Sequence, residues 1–114
     1  NHLRIGGNRM LSTTYHPDVI CVENIIIGAD LKMKVRNTRT DEESGWVPTD
    51  HSIGDGDVWC YNLTLHFSDL KEGDDFHTEV TANNDKDHAD CHPHVNYKEG
   101  GGKHKYVVNG VKTD

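Results

Sequence analysis

Val58-Trp59-Cys60-Tyr61-Asn62-Leu63-Thr64-Leu65-His66-Phe67-Ser68 is the stretch whose reading decides the fold. Trp59, Tyr61, Leu63, Leu65 and Phe67 fall on alternate positions, with Cys60, Asn62, Thr64 and His66 between them. Alternation of this length is the period of a pleated strand with one face in a core. A long strand is therefore expected over residues 58–68. Lys71-Glu72-Gly73-Asp74 then turns the chain, and Phe76 to Ala82 alternates again, with Phe76, Thr78, Val80 and Ala82 against His77, Glu79 and Thr81. The two stretches are expected to pair as a hairpin.

Similar patterns lie on either side. Val19 to Ile27 is rich in β-branched residues and stops at Gly28. In residues 31–36, Leu31, Met33 and Val35 alternate with Lys32, Lys34 and Arg36, which makes a half-buried strand with a basic outer stripe. Downstream, His92 to Lys98 sets Val95 and Tyr97 against His92, His94 and Asn96. Gly100-Gly101-Gly102 turns the chain into a last strand over 103–108. No stretch sustains a helical period. Six short antiparallel strands suggest an all-β sandwich or partly open barrel. Residues 37–57 stand apart as a long polar connection, of the kind that usually carries function or motion. Its apolar points are Trp46, Val47 and Ile53. The expected organisation is a flexible N-terminal extension over 1–17, one domain over 18–110 with a long loop at 37–57, and a C-terminal tail over 111–114.

Composition narrows the partners. The chain has 114 residues, only 33% of them hydrophobic, and a formal net charge of -7. A single thin core follows. An acidic chain is repelled by phosphate backbones and anionic lipid heads, which argues against nucleic acid and membrane as partners. There is no apolar run long enough for a transmembrane helix. The chain opens on Asn1 rather than Met, as a secreted protein does once its leader is removed, and as a shortened chain also does. Three cysteines, Cys21, Cys60 and Cys91, permit any one of three single disulfides with one thiol left over. Asn62-Leu63-Thr64 is a candidate glycosylation acceptor in a secreted protein.

A cysteine in the first strand, a second cysteine ahead of the fifth, and two short strands closing around a glycine turn form a pattern that resembles the MAX effectors, the ToxB-like secreted proteins of plant-pathogenic fungi. The segment Asp75-Phe76-His77-Thr78-Glu79-Val80-Thr81-Ala82, the polar loop after it, and Cys91-His92-Pro93 are similar to that family's fourth strand, loop and fifth-strand start. The resemblance spans residues 18–110. The loop at 37–57 is longer than the family's connection, and Cys60 has no counterpart. The resemblance implies a six-stranded antiparallel β-sandwich of two three-stranded sheets with one disulfide, which by motif match joins Cys21 to Cys91. Closing a loop of about 70 residues in this way contributes on the order of 4 kcal/mol in the chain-entropy account. It also implies a non-enzymatic virulence role: a secreted monomer, translocated in some cases into the host cell, that binds host proteins such as small heavy-metal-associated (HMA) domains, or immune receptors.

The residues offer candidate sites. Leu31, Lys32, Met33, Lys34, Val35 and Arg36 are read as an exposed edge strand able to accept a partner strand, although lysines also serve to protect such edges. Trp46 is read as an anchor on the long loop. Cys60 is read as a free thiol or an intermolecular link. His88, Cys91, His92 and His94, with His104, carry ligand-type side chains, but no zinc-finger spacing is present, so no metal or other cofactor is assigned. Two alternatives to a protein ligand remain. One is a small secreted ribonuclease-like hydrolase using His77 and Glu79, with His66 across the expected hairpin. The other is a histidine-based metal-binding protein.

Overall fold

A computed structural model describes residues 14–82 and 87–109. Most of the expected N-terminal extension (residues 1–13), part of the polar loop after Ala82 (83–86) and the 111–114 tail lie outside the described residues. The described part is mostly β: β1 (Val19–Asn24), β2 (Leu31–Asn37), β3 (Val58–Asn62), β4 (Asp75–Ala82), β5 (Asp87–Asp90), β6 (Val95–Asn96) and β7 (Lys103–Val108), with one short helix, α1 (Leu63–His66). They form two sheets. One has the order β3-β1-β7; the other has β2-β4-β5, with β6 also paired to β4. Ile20, Val22, Tyr106 and Val108 from the first sheet join Leu31, Met33, Val35, Phe76 and Val80 from the second in one hydrophobic core.

The expectation of six antiparallel strands in two three-stranded sheets is corrected. The described residues form seven strands, and β1 pairs with β7 in parallel, Val19 opposite Lys103 through Asn24 opposite Val108. The expected 58–68 strand is also corrected. β3 ends at Asn62, whose side-chain Oδ1 accepts the Leu65 N–H at 3.1 Å and caps a helical turn. Leu63 and Phe67, four residues apart, are both buried, while Leu65 is 75% exposed. A spacing of four satisfies strand and helix alike, so only Leu65 distinguishes them, and a capping side chain decided the outcome.

The turn sends the chain away from the expected hairpin. β3 pairs with β1, and β4 pairs with β2 in the register Leu31 opposite Ala82 through Asn37 opposite Phe76. That register sets Lys34 against Glu79, with Lys34 Nζ 3.3 Å from the carboxylate, so charge complementarity agrees with the burial of Met33, Val35, Thr78 and Val80 on the inner side.

The disulfide joins Cys21 to Cys60, not Cys21 to Cys91. The register of β1 on β3 places Cys21 directly opposite Cys60, with Cα atoms 4.0 Å apart. Ile20 and Val22 point into the core, so Cys21 between them points outward, as Cys60 does. Cys91 is a buried free thiol inside the core and cannot meet a side chain on the far face of the other sheet.

Residues 37–57 are not a detached loop. Leu31 and Ile53 exchange backbone hydrogen bonds, as do Met33 and Val47. Val35 N–H donates to Ser44 Oγ, Ser44 N–H to the Val35 carbonyl, and Asn37 N–H to the Glu42 carbonyl. The segment thus lies along the outer edge of β2. It is pinned at its far end by buried Asn24, whose Nδ2 donates to the Ala29 and Ile53 carbonyls. Residues 14–17 are also tied to the body, through Thr14 N–H to the Lys103 carbonyl, Asn96 N–H to the Tyr15 carbonyl and Lys98 N–H to the Pro17 carbonyl.

Candidate functional site

The outward face of the four-stranded sheet concentrates the chemistry. β2 contributes Lys32, Lys34 and Arg36, β4 contributes Asp75, His77 and Glu79, and β5 contributes His88 and Asp90. The crossing from β5 to β6 adds His92 and His94, and the long connection adds Glu43 and Trp46. Lys34, Arg36, Glu43, His77, Glu79 and Asp90 line a shallow polar depression of about 290 Å³.

The structure corrects the edge-strand reading of residues 31–36. Leu31, Met33 and Val35 are buried, and the outer backbone of β2 is satisfied by residues 42–53, so no row of open donors and acceptors awaits a partner strand there. The basic stripe is engaged within the chain as well. Lys32 Nζ donates to the Pro48 carbonyl at 2.6 Å, Lys34 pairs with Glu79, and Arg36 Nη1 lies 3.2 Å from Asp41 Oδ1. Trp46 remains half-buried on this face. The Lys34 ammonium sits 4.7 Å from its ring centroid, and the His88 ring meets it edge-on at 5.1 Å. Those contacts fix the indole's orientation.

The expected histidine cluster is rearranged. Cys91 is in the core, where burial pushes its thiol far above the usual range and leaves it a poor ligand. His104 is buried on β7, against Tyr15 and Tyr106, with Nδ1 2.7 Å from the Thr14 carbonyl oxygen. Burial lowers its pKa. His88 stands with Trp46. Only His92 and His94 remain together, their ring centroids 5.3 Å apart.

They are joined by two residues that the sequence did not place in the cluster. His77 stacks on His94 with centroids 3.5 Å apart, and His77 Nε2 lies 2.8 Å from Asp75 Oδ2. β6 pairs Asp75 with Asn96 and Phe76 with Val95, so the same register continued by one step sets His77 against His94. Tyr106, buried in the core, donates its hydroxyl to the Pro93 carbonyl at 2.5 Å and so fixes the segment that carries His92 and His94. Partial burial lowers the His94 pKa, with neighbouring His77 acting in the same direction. The signal for this meeting was the shared outward parity of Asp75 and His77, but it needed the β4–β6 pairing to be usable.

The hydrolase arrangement is not assembled as expected. His66 stacks on Tyr61 beside the other sheet, its centroid 4.5 Å from the phenol ring, and Glu79 is held by Lys34. Among the described residues no helix is long and apolar enough to cross a membrane. The chain matches no protein-family model, no curated protein and no solved structure. The site is therefore read from its own chemistry.

Proposed function

We propose that the domain is a secreted protein ligand, of the host-binding kind that the MAX-effector resemblance implies, and that it docks through the Trp46 side of the four-stranded sheet rather than by strand addition to β2. The proposal keeps the role from that resemblance and not its details, because the Cys21–Cys91 bridge and the two three-stranded sheets are replaced here by Cys21–Cys60 and a different strand order. The observation that carries it is the set Trp46 side chain. A large aromatic held by Lys34 and His88, at the rim of a depression lined by both signs of charge, is a pre-ordered anchor with polar specificity around it. A disulfide in a small polar domain supports an oxidising compartment.

The test is interferometry against a panel of small host domains, HMA domains included, using wild type and Trp46→Ala matched for thermal stability. The expected result is saturable binding by wild type and a loss of affinity of about tenfold or more in the variant. Equal binding by both proteins would remove the anchor from the proposal. Binding abolished only by changes on the β3–β1–β7 sheet would move the interface to that face.

A further inference from the structure

Apart from any protein partner, the geometry points to a divalent transition-metal site formed by Asp75, His77 and His94. One carboxylate oxygen and one ring nitrogen from each histidine all lie within 4.8 Å of one another. Ligands around a tetrahedral zinc ion at ordinary bond lengths are separated by about 3.3 Å, so small side-chain rotations bring the three onto one ion. Two elements contribute. Asp75 and His77 stand two residues apart on one face of β4, and His94 immediately precedes β6, which β4 holds in register through Phe76 opposite Val95.

The neighbours favour this use. Two imidazoles with ring centroids 3.5 Å apart, and a third 5.3 Å from the second, gather several nitrogen donors into one small volume beside the Asp75 carboxylate. The Thr38 hydroxyl lies 3.1 Å from the Asp75 carbonyl oxygen and 3.4 Å from Asp75 Oδ2, and its single proton serves one of the two at a time; turned to Oδ2 it is an outer partner of the sort that orients metal ligands. Arg36, the cation opposite His77 across β2 and β4, is paired with Asp41. A set of two nitrogens and one oxygen suits Zn²⁺, Cu²⁺ or Ni²⁺ rather than Ca²⁺ or Mg²⁺. Three protein ligands leave a coordination position for water or for a donor group brought by another molecule.

Calorimetric titration of the metal-stripped full chain with Zn²⁺ tests the site, with Co²⁺ absorption as a second readout of nitrogen and oxygen coordination. One equivalent should bind, and His77→Ala and His94→Ala should each weaken it by roughly a hundredfold, since loss of even an outer-sphere partner commonly costs tenfold or more. Asp75→Asn keeps the shape and should weaken binding in the same direction, which separates ligand loss from misfolding. His88→Ala and His66→Ala should bind as wild type. Zn²⁺ binding that survives His77→Ala and His94→Ala within twofold, or no saturable binding by the wild-type chain, would overturn the assignment.

Discussion

On the outer face of the β3–β1–β7 sheet, Cys21 and Cys60 are joined covalently and Glu23 meets Lys105 at 2.8 Å. On the outer face of the β2–β4–β5 sheet there is no such link; Lys34 meets Glu79, Arg36 meets Asp41, His88 meets Trp46 edge-on and His77 stacks on His94. Both faces follow from the same alternation, which sends every second residue out of a shared core. They differ in what an outward residue is used for. The first face uses its outward cysteines as a covalent staple between two strands. The second gathers ligating and charged groups around a shallow depression, held to one another by ion pairs and ring contacts. In a domain with a thin core, the covalent staple on one face is expected to contribute more stability than the partly exposed ion pairs on the other.

That division predicts unequal effects of mutation. The largest belongs to the disulfide. Cys21 and Cys60 are 39 residues apart, and closing a loop of that size contributes about 4 kcal/mol in the chain-entropy account. Cys60→Ser should lower the stability measured by urea unfolding by about that amount, and reductant should do the same to wild type while leaving the variant unchanged. Peptide mapping without reduction should recover Cys21 linked to Cys60, and Cys91 should resist alkylation until the chain unfolds. A Cys60→Ser protein as stable as wild type would erase the contrast between the faces.

Next in size is the buried charge that anchors the four-stranded half. Asp74, with its side chain 3% exposed, accepts from Arg39 Nε at 2.5 Å, Asn37 Nδ2 at 2.9 Å and Lys71 N–H at 2.9 Å, tying the start of the 37–57 segment to the turn before β4. The Arg39 hydrogen bond is the main reason that its pKa falls to about 2. The folded pKa lies below that of the unfolded chain, so the contribution is complete above about pH 4 and is lost as pH falls toward 2. Its size is on the order of 2 kcal/mol. Asp74→Asn should destabilise by a similar amount at neutral pH and flatten the stability profile between about pH 5 and 2, read by thermal unfolding across that range. An unchanged acid limb would mean that other carboxylates set it.

What the sequence disclosed divides along physical lines. The burial of β2, and of β4 as far as Val80, follows the written alternation, because the pleat is a local property; Thr81, expected on the outer side, is buried. The 58–68 stretch is ambiguous in sequence because Leu63 and Phe67 fit both periods, and the Asn62 cap resolves it toward a helical turn. Strand partners were not legible, since pairing depends on contacts between distant segments. Cys21 was legible in part: flanked by Ile20 and Val22, it had to share the outward parity already assigned to Cys60. The resemblance drew the pairing to Cys91 instead. Trp46, an apolar point on the long connection, stands on the charged face against Lys34, whereas the edge expected to receive a partner is filled by that connection itself. The Asp75, His77 and His94 group stayed hidden because two elements far apart in the chain supply it.

The smallest effect sharpens the comparison most, because it measures whether the charged face contributes to folding at all. Lys34 and Glu79 are cross-strand neighbours with side chains 23% and 33% exposed, and Lys34 also caps the Trp46 ring. Partly exposed pairs of this kind couple by about 0.5 kcal/mol. A double-mutant cycle of Lys34→Met and Glu79→Gln, read by urea unfolding, should return a coupling of about that size that fades in 1 M salt, where the screening length shrinks to about 3 Å. A coupling several times larger, unmoved by salt, would make this pair a structural clamp equivalent to Asp74. The depression would then be a braced part of the fold rather than a surface held open for a ligand.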